Sequence, residues 1–319
     1  MSFSAEEIKQ RKRKARLKRL GLFLLIVLIA VLVVVSSIWP AASWKYYFAL
    51  PRVERRGDGE LKLHFLNVGR GECTLIEFPD GKTMLVDGGS PYGDDVDRVM
   101  RYLNALSVKK LDYVAITAPT EERTGALSEI AAYKQIGYVY LPKEGGDESD
   151  EYLAFVAAIK RENVPSITFA RYLAVEGDAA TPYSVRFLLP CEDDEKQRGS
   201  AIWIEWQNSG VLLCGDLTAA EEQKLLADEA LGYFSHLGIR VTENTRLLRM
   251  PNMGKATEYT AKFIDRLSPD KVVVSCLETN SYTPDIWAVP LTSTAYRTDL
   301  NGNIVATVTA GGVNVRTEK

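Results

Sequence analysis

An uninterrupted apolar run near the N-terminus constrains this chain more than any other feature. Residues 21–39 read GLFLLIVLIAVLVVVSSIW, without a charged side chain. As a helix, this run spans about 28 Å, close to the roughly 30 Å of hydrocarbon in a bilayer. Its many β-branched residues would be unfavourable in a soluble helix, whereas in lipid the helix satisfies its own backbone polar groups. The sequence therefore predicts one transmembrane helix over residues 21–39.

The residues before this run form a strongly basic tail. Residues 1–20 contain eight Lys or Arg and two Glu. Because Lys and Arg are enriched on the cytoplasmic side of membrane helices, we expect the N-terminus in the cytoplasm and the C-terminal part outside it, at the cell membrane. Aromatic side chains favoured at the opposite interface end the run and follow it. They are Trp39, Trp44, Tyr46 and Tyr47.

A cleaved signal peptide is the alternative to a membrane anchor. The apolar run is longer than the usual signal-peptide core of about 7–15 residues, and residues 40–43 (PAAS) form a weak cleavage site. We therefore expect an anchor, followed by an interfacial segment and polar linker over residues 40–60. The basic side chains of this segment contact anionic headgroups in one interpretation and solvent in the other. They are Lys45, Arg52, Arg55 and Arg56.

The part of the chain after the basic tail is acidic. Residues 21–319 hold 31 Lys or Arg and 40 Asp or Glu, a formal charge of −9. A surface of this sign repels a phosphate backbone unless it carries a local basic groove. Nucleic acid is therefore not the expected partner.

Strand and helix patterns alternate along residues 61–319. Short β-rich runs come first, and apolar periodicity then favours helices at 94–106, 124–136, 150–161 and 256–267. Strands between these helices are expected to form sheets that the helices cover. Since no linker-like segment interrupts the stretch, we predict one layered α/β domain from residue 61 to residue 319.

The four cysteines predict no disulfide framework. Cys73, Cys214 and Cys276 lie in or at the end of predicted strands, where Cys usually behaves as a small buried hydrophobe. Cys191 lies in a polar loop. Spacing alone assigns no pairing, so a bridge remains an alternative to buried thiols.

Four segments of the chain carry motifs in a recognisable order. Residues 64–89 read HFLNVGRGECTLIEFPDGKTMLVDGG, and residues 111–127 read LDYVAITAPTEERTGAL. Residues 200–217 read SAIWIEWQNSGVLLCGDL, and residues 246–275 read RLLRMPNMGKATEYTAKFIDRLSPDKVVVS. This order resembles that of the metallo-β-lactamase fold, and above all the C-terminal domain of ComEC-type competence proteins. In those relatives the segments contain VGxGD and DGG, then T-H-x-H-x-D-H-x-G-G-L, then LLTGD, then L-K-x-P-H-H-G-S.

The resemblance covers about residues 61–308 and has consequences for fold and chemistry. It implies a four-layer αββα sandwich, in which two facing mixed sheets are covered by helices and the site lies at one sheet edge. It also implies hydrolysis of esters, amides or phosphodiesters by one or two metal ions that activate water.

The residues that would hold such metals are replaced in this chain. The three histidine positions of the first motif carry Ala118, Thr120 and Arg123, and its acidic position carries Glu122. A guanidinium is a permanent cation and cannot ligate a metal.

The later motifs have changed in the same way. Asn252 and Met253 stand at the two histidine positions of H-H-G-S, and Lys255 replaces its serine. Thr283 stands where relatives have the histidine of N-x-Y-x-H-P. The whole chain contains only His64 and His236. His64 lies within the first strand, where the family has no ligand, and His236 matches no family motif. We expect both to be ordinary core or surface residues.

Carboxylates remain at three of the positions that the resemblance places together. Asp87, Glu122 and Asp216 could offer three oxygen ligands at most, which make a weak site for a hard divalent ion. The sequence therefore predicts no metal or small-molecule cofactor, with a weakly bound divalent metal at these residues as the alternative. The DGG and GD turns around Asp87 and Asp216 are explained by backbone geometry alone.

Arg123 suggests what took the place of the metals. Without them the three carboxylates would be crowded together, and partly buried like charges raise one another's pKa and cost stability. A guanidinium brings a fixed positive charge and donors that match carboxylate geometry. We predict that Arg123 points into the former metal pocket and pairs with Asp216 or Asp87, with help from Lys255. The alternative is that Arg123 turns to solvent.

The pattern as a whole favours a bacterial-type membrane protein that displays a catalytically degenerate domain. We expect that domain to bind or scaffold another protein or a cell-envelope component. One alternative is a metal-dependent hydrolase or nuclease with an atypical site. Another is an accessory protein in DNA uptake, which a clustered Lys/Arg groove would favour.

Overall fold

The computed structural model describes residues 5–38, 41–143, 148–170, 173–189, 199–230, 238–279 and 281–319. The chain divides into two compact units, Met1–Ala49 and Leu50–Lys319. His236, Cys191, Trp39 and Asn280 lie outside the described residues.

The first unit is mainly one long helix. Helix α1 (Ala5–Ile38) is followed by a 3-10 helix, Ala41–Tyr46. Within α1 the stretch Lys12–Ser37 is long and apolar enough to cross a membrane, judged by length and composition. The helix begins well before the predicted residue 21, because Lys and Arg are good helix formers and continue it through the basic tail.

The second unit contains two mixed sheets. Sheet A has the strand order β15-β14-β1-β2-β3-β4-β5-β6, and sheet B the order β13-β12-β11-β10-β9-β8-β7. The strands of sheet A are β1 (Leu61–Phe65), β2 (Thr74–Glu77), β3 (Thr83–Val86), β4 (Lys110–Ala115), β5 (Gln135–Leu141), β6 (Ser166–Thr168), β14 (Ile304–Thr309) and β15 (Gly312–Thr317). Those of sheet B are β7 (Ala174–Glu176), β8 (Ser184–Leu188), β9 (Ala201–Trp206), β10 (Ser209–Cys214), β11 (Thr245–Arg249), β12 (Lys271–Val274) and β13 (Thr294–Arg297).

Helices connect and cover the strands. They are α2 (Asp95–Ala105), α3 (Glu121–Thr124), α4 (Leu127–Tyr133), α5 (Asp150–Arg161), α6 (Ala219–Ala230), α7 (Val241–Asn244), α8 (Thr260–Leu267) and α9 (Thr298–Asn301). Helix α5 has the bounds that the periodicity predicts, and the Ser149 side chain caps it by accepting a hydrogen bond from the Tyr152 backbone N–H.

The main core lies between the two sheets. Leu63 and Phe65 of sheet A belong to the same buried cluster as Ile202, Leu213 and Leu247 of sheet B. A second cluster packs the other face of sheet B against α6, α7 and α8. On the outer face of sheet A, α2 contacts β1 through a hydrogen bond between Tyr102 and His64. The expected αββα sandwich is therefore confirmed.

Parallel strand pairs determine where the site can form. Strands β3 and β4 are parallel in sheet A, and β10 and β11 are parallel in sheet B. Parallel neighbours end at the same sheet edge, so the loops that follow these four strands lie together. We call this edge the carboxyl edge.

The predicted helix over residues 124–136 is wrong. The structure has two short helices, α3 and α4, and β5 already begins at Gln135. Between the helices the backbone N–H groups of Gly125 and Ala126 donate to the carbonyls of Gly89 and Gly88, at 2.8 and 3.1 Å. These long-range bonds replace the intrahelical ones, so the helix is interrupted.

Two further expectations need adjustment. The last predicted helix begins at Thr260 instead of residue 256. The segment from Leu50, expected to be linker, belongs to the second unit. It is held there by contacts such as the ion pair of Glu54 with Lys62 and the hydrogen bond from Arg55 to the Ser107 hydroxyl. The Arg55 guanidinium thus contacts a side chain of the domain, which was neither of the two expected environments, lipid headgroups or solvent.

Gly125 gives a test of how tightly the carboxyl edge is packed. Its backbone is helical (φ −49°), but a Cβ there would lie 2.2 Å from the Ser90 carbonyl carbon. Gly125→Ala should therefore lower the free energy of unfolding by about 1–3 kcal/mol. The control is Gly311→Ala, because a Cβ there would have no neighbouring atom nearer than 4.0 Å. It should change the free energy of unfolding by less than about 0.5 kcal/mol. Denaturant unfolding of the full-length protein in detergent measures both, and equal effects would contradict the packing argument.

Candidate functional site

Five charged side chains meet at the carboxyl edge, and we call them the charge cluster. Glu72 lies in the loop between β1 and β2, Asp87 follows β3, Arg123 lies in α3, Asp216 follows β10, and Arg249 ends β11. The side chains of Glu72, Asp87, Arg123 and Arg249 are fully buried, whereas that of Asp216 is 30% exposed. Loops of both sheets therefore contribute charge to one small volume.

Arg123 contacts three carboxylates in this cluster. Its Nη2 donates to Asp216 Oδ1 at 2.5 Å, and its Nη1 donates to Glu72 Oε2. The same Nη1 lies 3.5 Å from Asp87 Oδ2. Burial lowers the pKa of Arg123, and the negative charge of Asp216 acts in the opposite direction. The predicted pairing of Arg123 with Asp216 is thus confirmed, and the guanidinium does not face solvent.

Arg249 supplies a second buried guanidinium that the sequence analysis missed. Its Nη2 lies 2.8 Å from Glu72 Oε2 and 3.1 Å from Asp87 Oδ2. Its Nε and Nη2 donate to the Cys214 carbonyl at 3.3 and 3.1 Å. One oxygen of Glu72 therefore forms ion pairs with both arginines. A single carboxylate thus links the two guanidiniums.

Asp87 is held in place by its backbone as well as its side chain. It has a left-handed φ of 63°, and its carboxylate accepts hydrogen bonds from the Thr117 backbone N–H at 2.7 Å and the Thr117 hydroxyl at 2.9 Å. Burial raises the pKa of Asp87 to about 6, although Arg249 and the Thr117 hydrogen bonds lower it. Three carboxylates face two guanidiniums, so a proton on Asp87 would remove the one excess negative charge.

Close backbone contact fixes the Glu72 loop in this position. The Glu72 N–H donates to the Glu122 carbonyl at 3.1 Å, and the Glu72 carbonyl accepts from the Gly89 N–H at 2.7 Å. A Cβ on Gly71 would lie 2.5 Å from the Ser90 nitrogen. Only glycine at position 71 lets the loop approach closely enough for Glu72 to reach both arginines.

The described residues do not fit a resident metal ion. The Arg123 guanidinium takes the space between Asp87 and Asp216, at 3.5 and 2.5 Å from their oxygens. In the part of the chain that the structure describes, no three His, Cys, Asp or Glu side chains group to hold an ion. Glu122 joins the cluster through its backbone carbonyl. A divalent ion at Asp87, Glu122 and Asp216 would have to displace Arg123.

The first-motif replacements support the loop rather than face a ligand. Ala118 is buried. Thr120 is the N-cap of α3, and its carbonyl accepts from the Arg123 N–H at 3.1 Å and the Thr124 hydroxyl at 2.8 Å. These bonds orient the short helix that carries Arg123.

Asn252 and Met253 join neighbouring loops. Both have a left-handed φ of 54°. The Asn252 side-chain amide donates to the Leu217 carbonyl at 2.7 Å, and the Met253 carbonyl accepts from the Tyr282 hydroxyl at 2.7 Å. Both residues therefore link neighbouring loops of the edge through hydrogen bonds.

Lys255 and Thr283 lie apart from the charge cluster. The expected help from Lys255 is wrong, because its side chain is exposed and forms no ion pair with any described carboxylate. Thr283 is also exposed, and its hydroxyl donates to Glu278 Oε1 at 3.4 Å.

The remaining candidate ligands are core residues. His64 is fully buried, with Nδ1 2.9 Å from the Tyr102 hydroxyl and Nε2 2.8 Å from Glu77 Oε2. The expectation of an ordinary core histidine is confirmed for His64. Cys73, Cys214 and Cys276 are free and buried, as predicted. Burial raises the pKa of each of these thiols.

The alternation of side chains along β11 could have indicated from sequence that Arg249 is buried. Leu247 points into the core between the sheets, while Leu248 belongs to the cluster on the other face. Arg249 therefore lies on the same side as Leu247, where a charge needs a buried counter-charge. Glu72 carries no comparable signal, since it lies in a loop whose path depends on long-range contacts.

Comparison with known proteins yields structural neighbours only. No protein-family model matches the sequence, and no curated protein matches it either. CmlA, a diiron β-hydroxylase from Streptomyces venezuelae, has 16% identity and a TM-score of 0.41, covering 79% of this chain and 54% of that one. A diphosphatase of the PhnP family has 9% identity and a TM-score of 0.44, covering 78% and 98%. A metallo-β-lactamase variant from Cronobacter sakazakii has 9% identity and a TM-score of 0.37, covering 65% and 81%.

These likenesses concern the fold alone. The structural neighbours are metallo-β-lactamase-fold proteins, the class whose layered arrangement the resemblance implied. This chain spans about half the length of CmlA.

Removal of the Arg123 guanidinium tests the charge cluster. Arg123→Ala leaves Glu72 and Asp216 without that counter-charge, so the free energy of unfolding should fall by about 3–5 kcal/mol. Arg161→Ala is the matched control, because the Arg161 side chain is 72% exposed and its ion pair among the described residues is with Glu162, itself 57% exposed. It should change stability by less than about 1 kcal/mol. Denaturant unfolding in detergent checks both, and equal losses would contradict a structural role for the cluster.

Proposed function

We propose that this chain is a bacterial-type, single-pass membrane protein of the metallo-β-lactamase superfamily, related to the C-terminal domain of ComEC-type proteins. Its N-terminus lies in the cytoplasm and its α/β domain outside. The domain has lost metal-dependent catalysis, and it binds or scaffolds another protein or a cell-envelope component.

The observation that carries this proposal is the buried guanidinium of Arg123. It stands between carboxylates that both sheets contribute, at 2.5 Å from Asp216 and 3.5 Å from Asp87. A hydrolytic centre needs an open coordination position where metal-bound water can attack. Here a fixed cation occupies that space, and side chains that could ligate zinc or manganese are replaced by Ala118, Thr120 and Asn252.

The alternatives to a binding role would show themselves in different ways. A hydrolase or nuclease with an atypical site would require a bound metal. A DNA-uptake accessory would require a basic groove on a part of the chain whose formal charge is −9.

Metal analysis of the full-length protein in detergent tests the loss of catalysis. Elemental analysis should find Zn, Mn and Fe well below one per chain, and phosphodiesterase, esterase and β-lactam hydrolysis should stay at background. The variant Arg123→His should remain metal-free and inactive too, since one imidazole cannot rebuild a centre that needs several ligands. One tightly bound transition metal per chain, with activity that a chelator abolishes, would overturn the proposal.

Reporter fusions test the orientation. An enzyme active only outside the cytoplasm should be active when fused after Lys319 and inactive when fused before Lys9. Replacement of the basic residues in 1–20 by acidic ones should give mixed orientation, because Lys and Arg set the topology. An unchanged orientation in that variant, or activity of the Lys319 fusion only inside the cell, would contradict the proposed placement.

A further inference from the structure

A cavity of about 530 Å³ opens on the domain and shares no residue with the charge cluster. Segment 52–54, helix α2 and strands β14 and β15 all contribute to its wall. Its volume falls in the range of about 300–1,000 Å³ typical of small-molecule sites.

The strand register places this cavity on the outer face of sheet A. Val305 of β14 pairs with His64 of β1 and with Arg316 of β15. Its neighbours Ile304 and Ala306 point into the core between the sheets. Side chains alternate along a strand, so Val305, His64 and Arg316 face outward together.

A buried hydrogen-bonded chain supports the floor of the cavity. Tyr102 lines the cavity, its hydroxyl meets His64 Nδ1 at 2.9 Å, and His64 Nε2 meets Glu77 Oε2 at 2.8 Å. In the neutral imidazole, Nε2 carries the proton toward the carboxylate, which only accepts, and Nδ1 accepts from the tyrosine. Burial raises the pKa of Tyr102, which keeps this hydroxyl protonated. The tyrosine oxygen retains lone pairs for a ligand.

Most of the charge around the cavity is already paired. The two oxygens of Glu54 bind Lys62 at 2.9 Å and Arg316 at 3.0 Å. The hydrogen bond from Lys62 lowers the pKa of Glu54, which therefore stays ionised. Glu60 Oε2 lies 3.6 Å from Lys62 Nζ and supplies a second carboxylate. Two carboxylates therefore balance the charges of Lys62 and Arg316.

Two charged groups in the lining are uncommitted. Within the described residues, no carboxylate lies within salt-bridge distance of the Arg52 guanidinium. Glu318 uses one oxygen to accept from the Asn303 N–H at 2.9 Å, and its other oxygen has no described partner. The cavity thus presents one free cation and one free carboxylate oxygen beside the apolar side chains of Val53 and Val305.

We propose that this cavity binds a small zwitterion of the amino-acid or short-peptide class. Arg52 receives the carboxylate, since a guanidinium fork matches a carboxylate in two parallel hydrogen bonds. Glu318 receives the ammonium group, and Val53 and Val305 contact the aliphatic side chain. A single uncommitted guanidinium fits a carboxylate better than a lipid phosphate, which usually takes several cationic donors. The site is separate from the charge cluster and goes beyond the proposed function.

Titration of the full-length protein in detergent with L-alanyl-L-alanine tests this site. The dipeptide should bind saturably by saturation-transfer NMR. N-acetyl-alanyl-alanine lacks the ammonium group and alanyl-alanine amide lacks the carboxylate, so each should bind about tenfold more weakly.

Paired variants assign each charge to its residue. Arg52→Gln should weaken dipeptide binding about tenfold and leave binding of the amide unchanged. Glu318→Gln should weaken dipeptide binding similarly and leave binding of the acetylated peptide unchanged. Lys319→Gln is the matched control, because Lys319 is an exposed cation next to Glu318, outside the cavity lining, and should leave all three affinities unchanged.

Three outcomes would overturn the proposal. They are the absence of saturable dipeptide binding, an equal loss in Lys319→Gln and Arg52→Gln, and tighter binding of phosphoethanolamine than of the dipeptide. The last result would assign the cavity to a lipid headgroup. None of them bears on the metal content of the protein, so failure here is distinguishable from failure of the proposed function.

Discussion

Pairing of buried charge at the carboxyl edge is the interaction on which the rest of this domain depends. Removing a guanidinium or a carboxylate from water costs several kcal/mol per ion, which only close partners offset. Arg123 and Arg249 meet that requirement by sharing Glu72 and by reaching Asp216 and Asp87. The loops after β3, β4, β10 and β11 must all keep their positions for these contacts to form. The charge cluster therefore couples backbone conformation across both sheets.

Two polar atoms of the charge cluster lose their contact with water without gaining a described hydrogen bond. Glu72 Oε1 and Arg123 Nε are buried and have no described hydrogen-bond partner. Leaving a buried polar atom unpaired costs about 1–3 kcal/mol. The edge is thus held by strong ion pairs while two of its buried polar atoms lack a described partner.

Local patterns predict much of the fold, and long-range contacts account for what they miss. Apolar periodicity gives α5 its bounds because its Ser149 cap and its buried face are both local features. The break between α3 and α4 could not be predicted, since it depends on hydrogen bonds from Gly125 to a loop more than thirty residues away. No such local signal marks the short strand β6, because its three side chains are exposed and show no alternation of burial.

The same distinction holds for the site. Arg123 could be predicted because the resemblance places it beside Asp87 and Asp216, carboxylates that need a counter-charge once they are buried. Glu72 could not, because its role depends on how the Gly71 loop packs against Ser90 and Glu122. Arg249 lies between these cases, since the strand pattern places it inward while its partners come from distant loops.

The cation that links the two sheets in the charge cluster is part of the polypeptide. The positive charges that join the Asp87 loop of sheet A to the Asp216 loop of sheet B are carried on side chains of the chain itself. Such a charge is synthesised with the protein and cannot be exchanged, chelated or lost to a competing binder. The contacts of Arg123 with these two loops therefore need only the fold, because the cation and both carboxylates belong to the same chain.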